Sequence, residues 1–319
     1  MTQDWLTLEH LRNLHVDPQL HPRGQAHLSA ASGLVQAGSQ LYVVADDELH
    51  LGMLDAIAQN EPAPLHPSPV RLIRLFEGEL PKDKGKRKKA KPDLETLAVL
   101  PSLTGCPYGA LIALGSGSKP ARQTGVLIAL DSNGGITERI AHLDLTPLYE
   151  PLRTRFADLN IEGAFVSSGE LKLLQRGNKG NARNACISYD WNQVVPWLVG
   201  QTQILPTLKA VADVVLGEID GVPLGLTDGA ALAAGAWLFC AVAENTADSY
   251  QDGDCAGSAV GVINAKGQLT AMWKLHGKPK VEGIAVVSTD NEIVINLVTD
   301  ADDPEVASQL VRVRLPASF

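Results

Sequence analysis

Five places along the chain carry a small or acidic residue, usually with glycine close behind, just ahead of a run of alternating apolar residues. They are Ser32-Gly33, Glu95-Thr96, Glu162-Gly163, Thr227-Asp228-Gly229 and Glu282-Gly283. Oxygen-bearing side chains at one repeated position suit a hard cation, and with no histidine or thiolate among them Ca2+ is expected before Mg2+. If the five positions converge, Ser32, Glu95, Glu162, Asp228 (or Thr227) and Glu282 form the candidate metal site. The gathered carboxylates cannot all stay ionised unaided, because two charges about 5 Å apart repel by about 3 kcal/mol at an effective dielectric near 20. A bound cation, neighbouring arginines or raised pKa values must resolve the conflict. The plainer alternative is that each acidic residue bonds the backbone of the next unit and staples the assembly.

Polar loops follow the second strand of each unit. GSGSKPAR (115–122) and RGNKGNAR (176–183) bring Arg122, Arg176 and Arg183, with Lys119 and Lys179, towards the carboxylates. Guanidinium forks beside a metal site form a clamp for a phosphate or another anionic group. In a hydrolytic reading these three arginines neutralise developing charge and Asp228 serves as general base. The tract KDKGKRKKAK (82–91) reads as a solvated, mobile positive loop on the same rim, or as a contact for an anionic substrate. Other catalytic signatures are missing: no GxSxG elbow, HExxH, GxGxxG or phosphate loop. The eight histidines are scattered, and Cys106, Cys186, Cys240 and Cys255 show no zinc-like spacing, so free thiols of a reducing cytosol are expected, with a Cys240–Cys255 disulfide as the alternative in an oxidising compartment.

These residues need elements that place them on one axis. The anchors stand 54 to 67 residues apart and divide the chain into five similar arcs. Within the second arc the strands are TLAVLPS, ALIALGSG, TGVLIALD and ITERIAHLDL; the fourth gives AALAAG, WLFCAVAE, SAVGVINA and LTAMWKLHG. Strands at this spacing, joined by glycine-bearing turns and without helical periods, predict an all-β fold. The expectation is a single domain over residues 1–319, a five-bladed β-propeller of four-stranded antiparallel blades. The last arc has only three strands, so the N-terminal stretch WLTLEHLRNLHV is expected to supply the fourth and close the ring. The rival is a six-bladed ring that counts residues 191–226 as a further blade.

Net charge is −9, which argues against a nucleic-acid partner held by a positive field. No apolar run is long enough for a membrane span, and the N-terminus has no secretory pattern, so a cytoplasmic protein is expected. The anchors SGL, DLE, NIEG and VEG, with LYVVADD and the final EIVINLVTDADDPEVASQLVRVRL, are similar to the calcium-activated nucleotidases (apyrases). They also resemble the bacterial phytase-type esterase-like propeller proteins. The nucleotidase resemblance implies a five-bladed propeller with an axial calcium held at Ser32, Glu95, Glu162 and Glu282, with Thr227–Asp228 in the fourth blade's place. The loop residues do not match the nucleotidases' substrate-binding residues. Two functions therefore stand side by side: a calcium-dependent hydrolase of a phosphoester or other anionic ester, and a non-catalytic propeller that binds a ligand or partner.

Overall fold

A computed structural model describes residues 5–177, 183–245, 254–289 and 291–317. Lys179 and parts of the 176–183 and 243–258 loops lie outside the described residues. In chain order the strands begin with β1 (Trp5–Leu6) and β2 (Glu9–Asn13). A first blade follows as β3 (Ala31–Ala37), β4 (Gln40–Ala45), β5 (His50–Asp55) and β6 (Arg71–Arg74). The second is β7 (Leu94–Leu100), β8 (Ala110–Gly115), β9 (Thr124–Leu130) and β10 (Ile136–Asp144). The third is β11 (Ile161–Ser167), β12 (Glu170–Gln175), β13 (Asn184–Asp190) and β14 (Leu208–Val214). The fourth holds β15 (Glu218–Ile219), β16 (Val222–Ala231), β17 (Trp237–Asn245), β18 (Asp254–Ile263) and β19 (Leu269–Leu275). The chain ends in β20 (Val281–Ser288), β21 (Glu292–Thr299) and β22 (Gln309–Pro316). Among the described residues three short α-helices interrupt the strands: α1 (Lys84–Ala90), α2 (Thr146–Arg153) and α3 (Trp191–Leu198).

The blades close as a five-membered ring. β2 pairs antiparallel with β22 and completes the fifth blade, as the short last arc requires. β1 takes a place no sequence period announces: it adds in parallel to β19 at the outer edge of the fourth blade. The N-terminal stretch thus ties two blades together. Residues 191–226 form no sixth blade, because they supply α3, the outer strand β14 of the third blade, and the start of the fourth. The innermost strand of the fourth blade begins at Val222 and ends at Ala231, so most of the AALAAG segment falls in the turn beyond it.

Alternation explains the strands and their packing. Along β4, β8 and β17 nearly every residue is buried, because both faces of a blade's second strand meet a neighbouring blade. The apolar side chains gather in five clusters, each between adjacent blades; one, between the first and second, joins Tyr42, Val44 and Leu51 to Leu97, Leu111 and Val126. Each such buried side chain contributes about 1.5–3 kcal/mol of transfer free energy. The β11–β12 hairpin turns on Ser168 and Gly169, both at positive φ, the geometry that suits the twist of a two-residue loop.

Candidate functional site: an axial cavity of interleaved charges

In every blade the register between the innermost strand and its partner slips at one equivalent place. The slips fall between Ala31 and Gly33, Leu94 and Thr96, Ile161 and Gly163, Leu226 and Asp228, and Val281 and Gly283. The extra residues are Ser32, Glu95, Glu162, Thr227 and Glu282. A bulge takes one residue out of pairing and re-aims its side chain. Ser32, Glu95, Glu162 and Glu282 accordingly line one cavity of about 360 Å³ on the propeller axis.

The residue after each bulge lies against the next blade. A Cβ on Gly33 would stand 2.8 Å from Leu97 N, one on Gly163 2.7 Å from Asp228 Oδ1, and one on Gly283 2.7 Å from Leu34 N. Glycine there permits contact that any side chain would block. Asp228 occupies this second position, not the bulge. Its Oδ2 accepts from Ile284 N at 3.0 Å and its Oδ1 from Gly229 N at 2.7 Å, which staples the fourth blade to the fifth. Burial, opposed by these two N–H groups, pushes its pKa well above the usual carboxylate range. Thr227 holds the ring position and donates to Val281 O at 2.9 Å. Neither Thr227 nor Asp228 lines the cavity. In the fourth blade's share of the channel lies the Arg176 side chain, which passes so close to Gly225 that a Cβ there would meet its Cγ and Nε at 3.0 Å.

Two further rings frame the bulges. Residues two before each bulge, among them Asp93, Asn160 and Lys280, accept backbone hydrogen bonds from a ring on the second strands. Ser116 N donates to Asp93 O at 2.9 Å, Arg176 N to Asn160 O at 2.9 Å, and Asp300 N to Lys280 O at 3.0 Å. Charges of opposite sign therefore interleave around the axis. Lys91 Nζ bonds Asp46 and Asp93, and Arg122 Nη1 donates to Asp93 Oδ2 at 2.7 Å. Arg176 donates to Glu244 at 2.7 Å and lies 3.5 Å from Glu162 and 3.7 Å from Glu282. Lys280 reaches Glu282 at 3.5 Å, Asp300 at 3.5 Å and Asp302 at 2.6 Å.

Acidic side chains still outnumber basic ones around the cavity. Burial pushes Glu95 well above its ordinary value, with Asp93, Glu162 and Asp46 adding repulsion. Burial also raises Glu162 to about 8, against the pull of Arg176 and with repulsion from Glu282. Glu282 is raised by burial despite Arg176 and Lys280, and its Oε2 is buried with no hydrogen-bond partner among the described residues. Oxygens of Asp46, Asp93 and Glu95 lie within 4.8 Å of one another, but the Lys91 ammonium already holds two of these three groups. Of the bulge set Ser32, Glu95, Glu162 and Glu282, one carboxylate oxygen, Glu282 Oε2, is left buried without a hydrogen-bond partner among the described residues, the kind of acceptor a hard cation takes.

The basic tract is not a mobile loop. Asp83 caps α1 by accepting from Lys86 N at 2.8 Å, and the buried Arg87 donates to Pro81 O and Lys82 O and pairs with Asp47 at 3.1 Å. Asp47 is also held by Arg23 at 3.1 Å, and burial raises it to about 6. Lys84, Arg87, Lys88 and Lys91 thus form a wall of the cavity.

Of the three arginines expected at the site, Arg122 and Arg176 line the cavity. Arg183 does not: it sits on the outer part of the third blade, donates to Asp213 at 2.9 Å and covers the Phe156 ring at 4.8 Å. Sequence spacing does not announce Asp93 or Lys280, and it places Lys91 only as the end of the basic tract. Asp93 and Lys280 stand just outside the innermost strands, two residues before a bulge, where strand alternation does not set their direction. All four cysteines are free; Cys255 is half-buried and the others are buried.

Residues 27–315 match the model of a family of unknown function, DUF6929. The chain belongs to that family. No curated protein matches it. Among solved structures it is similar to the α-L-arabinofuranosidase PaAbf62A from Podospora anserina in complex with cellotriose. That match has a TM-score of 0.52 and 10% identity, over 99% of this chain and 98% of the other. A PQQ-bound aldose sugar dehydrogenase from Streptomyces coelicolor matches with a TM-score of 0.46 and 12% identity, over 97% and 98% of the two chains. A glycosyl hydrolase from Bacteroides ovatus gives 0.43 and 9%, over 98% and 96%. At such identities the likeness speaks for the propeller architecture of this family member and not for its chemistry.

Proposed function

We propose that the axial cavity is the centre of a hydrolase for a small anionic ester, a phosphoester in first place, with a hard divalent cation, Ca2+ before Mg2+, held by Ser32, Glu95, Glu162 and Glu282. The observation that carries the reading is the buried, unpartnered Oε2 of Glu282 in a ring where burial also drives Glu95 and Glu162 towards the neutral form. A cation offsets that conflict better than three retained protons. When bound, such an ion polarises an ester oxygen and lowers the pKa of a coordinated water. Arg122 and Arg176, each anchored by carboxylates, face the same space and neutralise charge that develops on the ester. The role of proton acceptor falls to a carboxylate that reaches the cavity. Asp300, next to Lys280, does so and Asp228 does not.

The test is a phosphoester panel assayed on chelator-treated protein with and without Ca2+ or Mg2+, together with Glu162→Gln. Restored turnover with one ion, and loss of about a hundredfold or more in the variant with the fold intact, supports the reading. Turnover indifferent to chelator overturns it. One observation favours the second reading, a rigid propeller that binds without catalysing. Lys91, Arg176 and Lys280 already stand between the carboxylates and hold much of the ring together without an ion. In that case a ligand or ion raises the melting temperature and no substrate is turned over.

A further inference from the structure

Three residues, Lys91, Pro92 and Asp93, link α1 to β7. Lys91 caps the helix at φ −66 and ψ 143, the extended form favoured ahead of a proline, and Pro92 cannot continue the helix. Asp93 then turns the chain into β7 at φ 58, a conformation that aspartate and asparagine tolerate better than other side chains. The turn is held because the buried Asp93 carboxylate is engaged on both oxygens. Oδ1 accepts from Lys91 Nζ at 2.9 Å; Oδ2 accepts from Ser116 Oγ at 2.5 Å and from Arg122 Nη1 at 2.7 Å. Ser118 Oγ, 2.8 Å from Ser116 Oγ, also accepts from Arg122 Nη1 at 2.9 Å, and Lys88 O accepts from Nη2 at 3.0 Å. Three acceptors thus fix one end of the guanidinium. Its Nε–H and one Nη2 N–H make no bond to a described residue, and Arg122 lines the axial cavity.

We infer that Asp93 is a positioning residue: it holds Arg122 so that the guanidinium offers its Nε–H and remaining Nη2 N–H to two oxygens of one tetrahedral oxyanion in the cavity. A planar guanidinium grips such an anion through two parallel N–H bonds, a geometry that an ammonium on a flexible stem does not copy. By charge alone, a carboxylate beside an anion site is unfavourable. Its contribution is orientation, since a fork fixed beforehand loses less freedom on binding. The inference rests on the hydrolase reading only for the identity of the oxyanion, the phosphoryl group of an ester. The grip itself needs neither a cation at the bulge ring nor turnover.

Calorimetric titration of the whole protein with inorganic phosphate tests it. One saturable site is expected, weakened about tenfold by Arg122→Lys, which keeps the charge and removes the fork. Asp93→Asn should weaken it by about the same factor, although loss of a negative charge would by electrostatics alone tighten anion binding. Asparagine suits φ 58, and a cooperative melt shows that the variant is folded. In the Arg122→Lys background, Asp93→Asn should change the affinity by less than about twofold, because a residue that acts through Arg122 has nothing left to orient. A merely structural Asp93 would weaken binding in both backgrounds. Should Asp93→Asn not fold, Ser118→Ala at its half-buried position gives the same reading: binding about threefold weaker in the parent and unchanged in Arg122→Lys. No phosphate binding, affinity raised or unchanged in Asp93→Asn, or an effect that persists in Arg122→Lys overturns the inference. If the cycle is as expected and no ester is turned over, the hydrolase reading falls and the fork stands.

Discussion

At the scale of single residues, burial and backbone contact divide the acidic side chains into two kinds. Glu162 has a charged group driven towards neutrality, and the sign of its effect follows. A carboxyl raised to about 8 holds its proton more tightly in the folded than in the unfolded state. Its contribution is therefore full at low pH and is lost as pH rises from the ordinary carboxylate range through about 8. Chelator-treated protein should lose roughly 1–3 kcal/mol of stability between pH 5 and pH 8 from this group. Denaturant melts across that range should show a flatter dependence in Glu162→Gln, and the same slope in both proteins would contradict the assignment. Asp228 is raised by burial as well, and differs in that both its oxygens are held by backbone N–H groups. Asp228→Ala strips the acceptors from Ile284 N and Gly229 N and should cost about 1–3 kcal/mol, measured by denaturant.

At the scale of elements, the bulge in each innermost strand is what turns a repeat into a site. The glycine after it lets neighbouring inner strands touch, so Gly163→Ala should lower stability by about 1–3 kcal/mol, because its methyl meets Asp228 Oδ1 at 2.7 Å. A thermal melt equal to that of the parent would show that the blades can move apart there. The α1 insertion is fastened by one buried guanidinium. Arg87→Ala should free residues 81–91, which limited proteolysis reads as faster cleavage within the basic tract, while cleavage elsewhere is unchanged.

At the scale of the whole molecule, five interblade cores and the strand β2 make a closed ring, and the N-terminal segment is its clasp. Leu11 and Leu14 of that segment are buried in the core between the first and fifth blades. Deleting residues 1–16 removes those side chains and bares the β22 edge. The expected result is a melting temperature lower by well over 10 °C, with association of the exposed edge seen in light scattering. A truncated chain that melts like the parent would mean that the ring does not depend on this closure.

The sequence by itself determined the number of blades, the antiparallel units and the convergence of Ser32, Glu95, Glu162 and Glu282, because these follow from spacing and from strand alternation, which are properties of neighbours along the chain. Tertiary structure decided what spacing cannot express. A one-residue bulge separates Thr227 from Asp228 and makes the second a staple. The Arg183 guanidinium lies over Phe156 and not towards the axis, because a loop residue's direction depends on what packs beside it. A lysine-rich tract that reads as solvated became a wall, because Asp83 caps it and a buried arginine finds carbonyls and Asp47 across the cavity mouth. Local periodicity sets which elements form; the energy of buried charges depends on partners distant in sequence, and only the closed ring brings those together.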